Sequence, residues 1–192
     1  MGNYEKYYDA TEADVSRAIV KYFIENIECN PDNAIDLGCG AGNDTVYLIK
    51  NGWNVLAIDR ENVESRISKR LTTIELQHFK FEQQNLENLK LKKAKLIVAN
   101  YSLSFCNKEK FEKLWNEIKI NLDKDGYFVG NFLGTNDDWN KTKPQMTFFS
   151  KEQVLDLFRD FNIFNFKEVE VDKKTALGIP KHWHIFHIIA KR

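Results

Sequence analysis

The chain has 192 residues, of which 28 are Lys or Arg and 28 are Asp or Glu, so its formal net charge at pH 7 is zero. This length fits a single domain over residues 1–192, and a hydrophobic fraction of 43% is typical of a folded globule and not of a disordered tail. The balanced charge disfavours a nucleic-acid partner, and without an apolar run of about 18 residues or a disulfide framework we expect a cytoplasmic protein with no membrane partner.

The first predicted element is a helix. An aromatic cluster opens the chain, and the sequence TEAD after it has the form of a capping box with Thr11 as the N-cap. Apolar residues then recur at helical spacing, which predicts an amphipathic helix over residues 12–28 that ends before Pro31.

Strand and helix patterns alternate over most of the remaining chain. Strands are predicted at 34–37, 53–59, 74–82, 95–100 and 127–134, and helices at 43–51, near 63–71, after an Asn107 cap and after a capping box of Ser150 and Gln153. Two last strands, 163–172 and 182–190, have no helix between them and should pair as a hairpin. We therefore predict an α/β fold: a Rossmann-like, seven-stranded, mostly parallel sheet with an antiparallel last strand and helices on both faces.

The loop DLGCGAG after the first strand indicates a ligand site. Its glycines, Gly38, Gly40 and Gly42, allow positive φ and let backbone N–H groups approach a ligand closely. Such loops occur in both dinucleotide and S-adenosylmethionine sites. Asp36 at the strand end favours a cationic ligand over a pyrophosphate, and Asn43 breaks the G-x-G-x-x-G spacing of dinucleotide sites.

A second acidic residue, Asp59, ends the second strand, where a carboxylate can accept hydrogen bonds from both ribose hydroxyls. Together, DLGCGAG and VLAIDRE resemble the class I S-adenosylmethionine-dependent methyltransferases over essentially the whole chain. The stretches NYSLSFCNKEKF, NFLGTNDDWN, MTFFSKEQV and GIPKHWHIFHIIAKR resemble a bacterial branch related to tellurite-resistance methyltransferases. The chain lacks the D/N-P-P-Y type motif of enzymes that methylate nucleic-acid bases or glutamine.

This resemblance implies a set of cofactor-binding residues. The family pattern assigns the methionine end of S-adenosyl-L-methionine to Asp36, Gly38, Cys39, Gly40 and Gly42, the ribose to Asp59 and Arg60, the adenine to Asn85 and Leu86, and the mouth between donor and acceptor to Asn100 and Tyr101. Asn85 stands where the family usually has Asp, although an amide can still hydrogen-bond an adenine edge. The N-terminal segment, residues 1–29, is expected to cover this site.

Candidate catalytic residues come from both ends of the chain. Tyr8 belongs to the aromatic cluster, and His182 and His184 lie in KHWHIFH, where either could accept a proton or form an anion-binding cluster with Lys181. Strand alternation puts both histidines on one face and His187 on the other. No third ligand is evident near His182 and His184, so no metal site is expected.

The sequence thus predicts S-adenosylmethionine-dependent methyl transfer to a small-molecule acceptor by in-line displacement, with S-adenosylhomocysteine as product. Two alternatives stay open: an enzyme that methylates tellurite, another metalloid or a thiol for detoxification, and a non-catalytic S-adenosylmethionine-binding module. A NAD-dependent oxidoreductase is disfavoured by the glycine spacing. The expected assembly is a monomer or a homodimer.

Overall fold

The computed structural model describes residues 4–192 and contains one seven-stranded sheet with the order β3-β2-β1-β4-β5-β7-β6. The strands are β1 (Asn33–Leu37), β2 (Asn54–Asp59), β3 (Phe79–Gln83), β4 (Ala94–Ala99), β5 (Leu122–Leu133), β6 (Asn162–Lys174) and β7 (Pro180–Lys191). Strands β1 to β5 pair in parallel, whereas β7 runs antiparallel to both β5 and β6. The predicted seven-stranded fold with an antiparallel ending is confirmed.

Seven helices surround the sheet in the described part of the chain: α1 (Tyr4–Thr11), α2 (Ala18–Asn26), α3 (Asn43–Lys50), α4 (Glu64–Ser68), α5 (Lys108–Asn121), α6 (Asp138–Thr142) and α7 (Lys151–Leu157). Two predicted N-caps are present: Asn107 accepts a hydrogen bond from the backbone N–H of Glu109, and Ser150 forms a capping box with Gln153. Over residues 4–192, no helix is long and apolar enough to cross a membrane.

The helix predicted over residues 12–28 is present only as α2, from Ala18 to Asn26, and its predicted start is wrong. The Thr11 hydroxyl donates to the carbonyl of Tyr7 at 2.9 Å, so Thr11 closes α1 from its C-terminal end and does not cap a following helix. Residues 12–17 form a loop that is tied to Asp44, through the Ser16 hydroxyl and the backbone N–H of Arg17, both at 2.7 Å. A tertiary acceptor has therefore overridden the local helix pattern.

Three further predicted boundaries differ from the structure. The strand expected at 127–134 begins earlier, at Leu122. The strand expected at 74–82 begins only at Phe79, because residues Glu75–His78 form a 3₁₀ turn before it. The helix expected near 63–71 is reduced to α4.

The two faces of the sheet carry different helices. On one face, Val55, Val98 and Ile189 pack with Val20 of α2 and Leu48 of α3; we call this the α2 face. The opposite face, which we call the α5 face, packs against α5 and α7 through residues that include Ile35, Phe128, Phe186, Trp115 and Val154. Because side chains alternate along a strand, Asp36 and Asp59 both lie on the α2 face, at the carboxyl ends of neighbouring parallel strands.

Candidate active site

The loop after β1 is fixed against β2 by its own backbone. The N–H groups of Gly38 and Cys39 donate to the carbonyl of Ile58 at 2.8 and 3.0 Å. A Cβ on Gly38 would lie 2.4 Å from Ser102 Cβ, and one on Gly42 would lie 2.3 Å from Ile67 Cγ1; both glycines also have positive φ. Glycine is therefore required at these two positions for the backbone to pass so close to its neighbours.

Asp36 is a buried carboxylate at the end of β1, with 3% of its surface exposed. It accepts a hydrogen bond of 2.6 Å from the Thr45 hydroxyl, and burial together with the nearby Asp44 carboxylate raises the pKa of Asp36 to about 8. A cation bound beside Asp36 would favour its ionised form. The residue thus fits the ammonium of an amino-acid ligand.

Asp59 ends β2 and lies under α1. Its Oδ2 accepts from the Gly40 N–H at 2.9 Å, and its Oδ1 accepts from the Tyr8 hydroxyl at 3.2 Å and from the Glu61 N–H at 3.1 Å. Burial and the Asp59 carboxylate raise the pKa of Tyr8. Because Oδ2 has one donor and two lone pairs, the carboxylate can accept a further hydrogen bond, as a ribose site requires.

A cleft of about 410 Å³ opens next to Asp59. Arg60, Glu61, Gln83, Gln84 and Asn85 line it. The Asn85 Oδ1 accepts the backbone N–H of Glu87 at 3.1 Å, which leaves its amide N–H₂ for a ligand, while Leu86 is half-buried and packs against the core of the α5 face. The structure thus brings Arg60 and Asn85 together at one cleft, with Leu86 turned toward the core.

A chain of polar side chains links the N-terminal loop to the end of β4. Asp44, which holds Ser16 and Arg17 through Oδ1, accepts from the Asn100 amide through Oδ2 at 2.8 Å. The Asn131 amide of β5 donates in turn to Asn100 Oδ1 at 3.0 Å.

The same chain of contacts fixes Tyr101. The Tyr101 N–H donates to Asn131 Oδ1 at 2.9 Å, which holds Tyr101 at a φ of 52°. The sequence reasoning missed Asp44 and Asn131. The signals that could have found them were a carboxylate in the first turn after the glycine loop and an amide inside an apolar strand.

Ser102 supplies an unpaired polar group beside the glycine loop. It is 5% exposed, and among residues 4–192 its hydroxyl has no hydrogen-bond partner. Its Oγ lies 3.3 Å from the position that a Cβ on Gly38 would take. A buried hydroxyl without a partner is costly, so its presence here fits a ligand that bonds to it.

His182 and His184 lie on the α5 face, away from Asp36 and Asp59. His182 contacts Asp172 at 2.7 Å and Glu170 at 3.2 Å, and both carboxylates raise its pKa. His184 is buried, contacts Glu168 through Nε2 at 3.2 Å, and accepts the backbone N–H of Asn136 through Nδ1 at 3.1 Å. The structure does not bring these two histidines to Asp36 and Asp59.

The rest of KHWH joins β7 to α6. Lys181 and Asp137 form an ion pair whose side chains are 2% and 0% exposed, and Asp137 also accepts the N–H of Trp139 at 3.0 Å. Asp138 accepts the His182 N–H at 2.7 Å. The segments NDDW (136–139) and KHWH (181–184) therefore form one cluster of polar contacts, which we call the α6 clamp. Among residues 4–192, no group of three or more His, Cys, Asp or Glu residues could hold a metal ion.

His187 lies on the α2 face, next to Tyr101. The centroid of the Tyr101 ring is 6.5 Å from that of His187 and 5.9 Å from that of Trp183. Among the described residues the buried Nδ1 of His187 has no partner, and burial together with Lys167 lowers its pKa. A neutral imidazole with a free nitrogen can accept a proton. The alternation of KHWHIFH along β7 already separated His187 from the other two histidines.

Comparison with known proteins gives the family. The model of the family described as tellurite resistance protein TehB matches residues 3–177. A curated relative, the carboxy-S-adenosyl-L-methionine synthase of Nautilia profundicola, is 30% identical over 135 residues, which are 68% of this chain. The match spans 58% of that relative's length.

Solved structures share the fold. TehB from Haemophilus influenzae superposes with a TM-score of 0.77 at 19% identity, over 98% of this chain and 67% of that one. The N-methyltransferase NodS from Bradyrhizobium japonicum, solved with S-adenosyl-L-homocysteine, has a TM-score of 0.69 at 13% identity, over 100% and 99% of the two chains. These matches confirm the class I methyltransferase fold, and the chain belongs to the TehB family.

Proposed function

We propose that this protein transfers the methyl group of S-adenosyl-L-methionine to a small-molecule acceptor. The observation that carries the proposal is the pairing of two buried carboxylates, Asp36 and Asp59, around a glycine loop with positive φ at the carboxyl ends of β1 and β2. The family membership and the shared fold support the same conclusion.

In this proposal, different residues bind the different parts of the cofactor. Asp36 binds the ammonium, the Gly38–Gly42 loop with Cys39 approaches the amino-acid end, and Asp59 accepts hydrogen bonds from the ribose. Arg60 and Asn85 line the cleft that takes the adenine, beside Leu86. Tyr8, held by Asp59, covers the site from α1 and excludes water.

The acceptor site in this proposal lies between Asn100, Tyr101, Trp183 and His187. When bound, the sulfonium supplies an activated methyl group, so the protein mainly aligns the acceptor and excludes water. His187 takes the proton that an N–H, O–H or S–H acceptor loses, since it lies beside Tyr101 and its lowered pKa keeps the imidazole neutral. His182 and His184, expected from the sequence to serve this role, already contact carboxylates.

Calorimetry tests the cofactor part of the proposal. S-adenosylhomocysteine should bind and NADH should not; binding of NADH alone contradicts the proposal. Asp59→Ala should weaken S-adenosylhomocysteine binding by about 1–3 kcal/mol, since a charged acceptor is lost. Glu112→Ala is the matched control, because Glu112 is an exposed carboxylate of α5, on the opposite face of the sheet from Asp59. Unchanged affinity in Asp59→Ala would refute the ribose assignment.

A substrate panel tests the acceptor class. Release of S-adenosylhomocysteine is measured with small thiols, amines, carboxylates and tellurite. The family description favours the narrower alternative of tellurite or another soft acceptor, which predicts turnover with tellurite and thiols only. Binding of S-adenosylhomocysteine with no turnover of any acceptor would support the non-catalytic binding module.

A further inference from the structure

Arg17 is a half-buried basic side chain that the cofactor assignments above do not use. It precedes α2, and its backbone N–H is bound by Asp44 Oδ1 at 2.7 Å. Its guanidinium carbon lies 5.2 Å from the centroid of the Tyr101 ring. Tyr101 is the second residue after the end of β4. Within residues 4–192, the Arg17 side chain makes no salt bridge and no hydrogen bond.

Neighbouring arginines are already engaged. Arg66 pairs with Asp9 at 2.7 Å and with Glu12 at 3.0 Å, and Arg60 contacts Glu61 at 3.4 Å. Arg70 donates to the carbonyl of Ala41 at 2.8 Å and to Asn43 Oδ1 at 2.9 Å. Arg17 therefore differs from these arginines in having a half-buried charge without a polar partner in the described part of the chain, which favours an external anion.

The position of Arg17 indicates which kind of anion it would bind. Asp44 holds the Arg17 backbone and lies close enough to Asp36 to raise its pKa. An amino acid whose ammonium binds Asp36 carries its carboxylate on the same carbon atom, so the two charges must be recognised in one place. Three buried carboxylates, Asp36, Asp44 and Asp59, already occupy this region, and a further carboxylate there requires a cation.

The N–H donors of Arg17 are available for a ligand. Its guanidinium carbon lies 5.2 Å from the centroid of the Tyr101 ring, and a guanidinium whose N–H groups have no partner among the described residues can bind a carboxylate in a bidentate manner. Resting on the proposed cofactor function, we propose that Arg17 binds the amino-acid carboxylate of the cofactor opposite Asp36. The buried hydroxyl of Ser102, which has no hydrogen-bond partner within residues 4–192, is a second donor for the same amino-acid end.

The test compares two ligands that differ in the carboxylate alone: S-adenosylhomocysteine and its decarboxylated form, which keeps the ammonium and the adenosine. Affinities are measured by calorimetry, and by displacement for weak ligands. Arg17→Gln should bind S-adenosylhomocysteine about 10–100-fold more weakly. It should bind the decarboxylated ligand as the wild type does, within about two-fold, and Arg17→Lys should recover part of the loss because it restores the charge without the fork.

Arg159→Gln is the matched control, since Arg159 is exposed near the end of α7 and pairs with Asp156. It should leave both affinities unchanged. The proposal is overturned if Arg17→Gln weakens both ligands equally, which indicates a structural role, or if it weakens neither. Failure of the wild type to bind S-adenosylhomocysteine would instead refute the cofactor function itself.

Discussion

The carboxyl edge of β1, β2 and β4 and the α6 clamp on β7 are both rich in charged side chains, but they use them differently. In the α6 clamp the buried Lys181 pairs with Asp137, and the buried His184 hydrogen-bonds Glu168 and the backbone N–H of Asn136. At the carboxyl edge, Asp36 and Asp44 are buried beside each other, and among the described residues they accept hydrogen bonds only from neutral groups.

This difference separates a structural polar cluster from a binding site. A buried ion pair that is fully satisfied fixes the geometry of a loop, whereas a buried acid without a base, such as Asp36, has a raised pKa and favours a cationic ligand. Of the four predictions below, two alter the α6 clamp, one alters the carboxyl edge, and one alters His187, on the α2 face of β7.

The largest effect is expected from breaking the α6 clamp. Lys181→Met leaves Asp137 buried without its cation, which should lower the free energy of unfolding by about 3–5 kcal/mol. Chemical denaturation measures the change. The double variant Lys181→Met with Asp137→Asn should recover part of the loss, because the asparagine can still accept the Trp139 N–H; an equal or greater loss would mean that the pair is not what stabilises the clamp.

His187→Gln should lower turnover of a protic acceptor about 100-fold, since a general base is lost. The affinity for S-adenosylhomocysteine should stay unchanged. Burial and Lys167 lower the pKa of His187, so wild-type turnover should persist below about pH 6.5, where an ordinary histidine gains its proton. A turnover rate that does not depend on His187 would contradict the base assignment.

Asp36→Asn should stabilise the cofactor-free protein while abolishing cofactor binding. The pKa of Asp36 is raised to about 8 in the folded protein. Its contribution to the free energy of unfolding is therefore complete at a pH below the pKa that Asp36 has in the unfolded chain, and it is lost as the pH rises toward 8. Asparagine accepts the same Thr45 hydroxyl without a titrating charge. Calorimetric scans should therefore show a melting temperature higher by about 3–8 °C at pH 8 and a smaller difference at pH 5. A difference that does not grow with pH would contradict the raised pKa.

The smallest effect is expected at the exposed end of the hairpin. His182→Asn removes contacts with Asp172 and Glu170 that water can replace, so turnover and S-adenosylhomocysteine affinity should stay within about two-fold of the wild type. A large loss of turnover with unchanged cofactor affinity would restore His182 as an acceptor-site residue.

The fold and the residues of the carboxyl edge were predictable because the sequence patterns that indicate them are local. The glycine loop, Asp36 and Asp59 lie within a few residues of strand ends, and the carboxyl ends of adjacent parallel strands must meet. The loop over residues 12–17 was not predictable. It forms because Asp44, far along the chain, accepts hydrogen bonds from the Ser16 hydroxyl and the Arg17 N–H.

The sequence by itself determined the seven-stranded fold, the glycine loop and the two strand-end carboxylates, since periodicity and spacing dictate them. It also separated His187 from His182 and His184 by alternation. Only the tertiary structure decided which of these faces holds Asp36 and Asp59, because that depends on how β7 pairs with β5. Contacts between distant segments likewise gave Lys181 a structural partner and left Arg17 without one among the described residues.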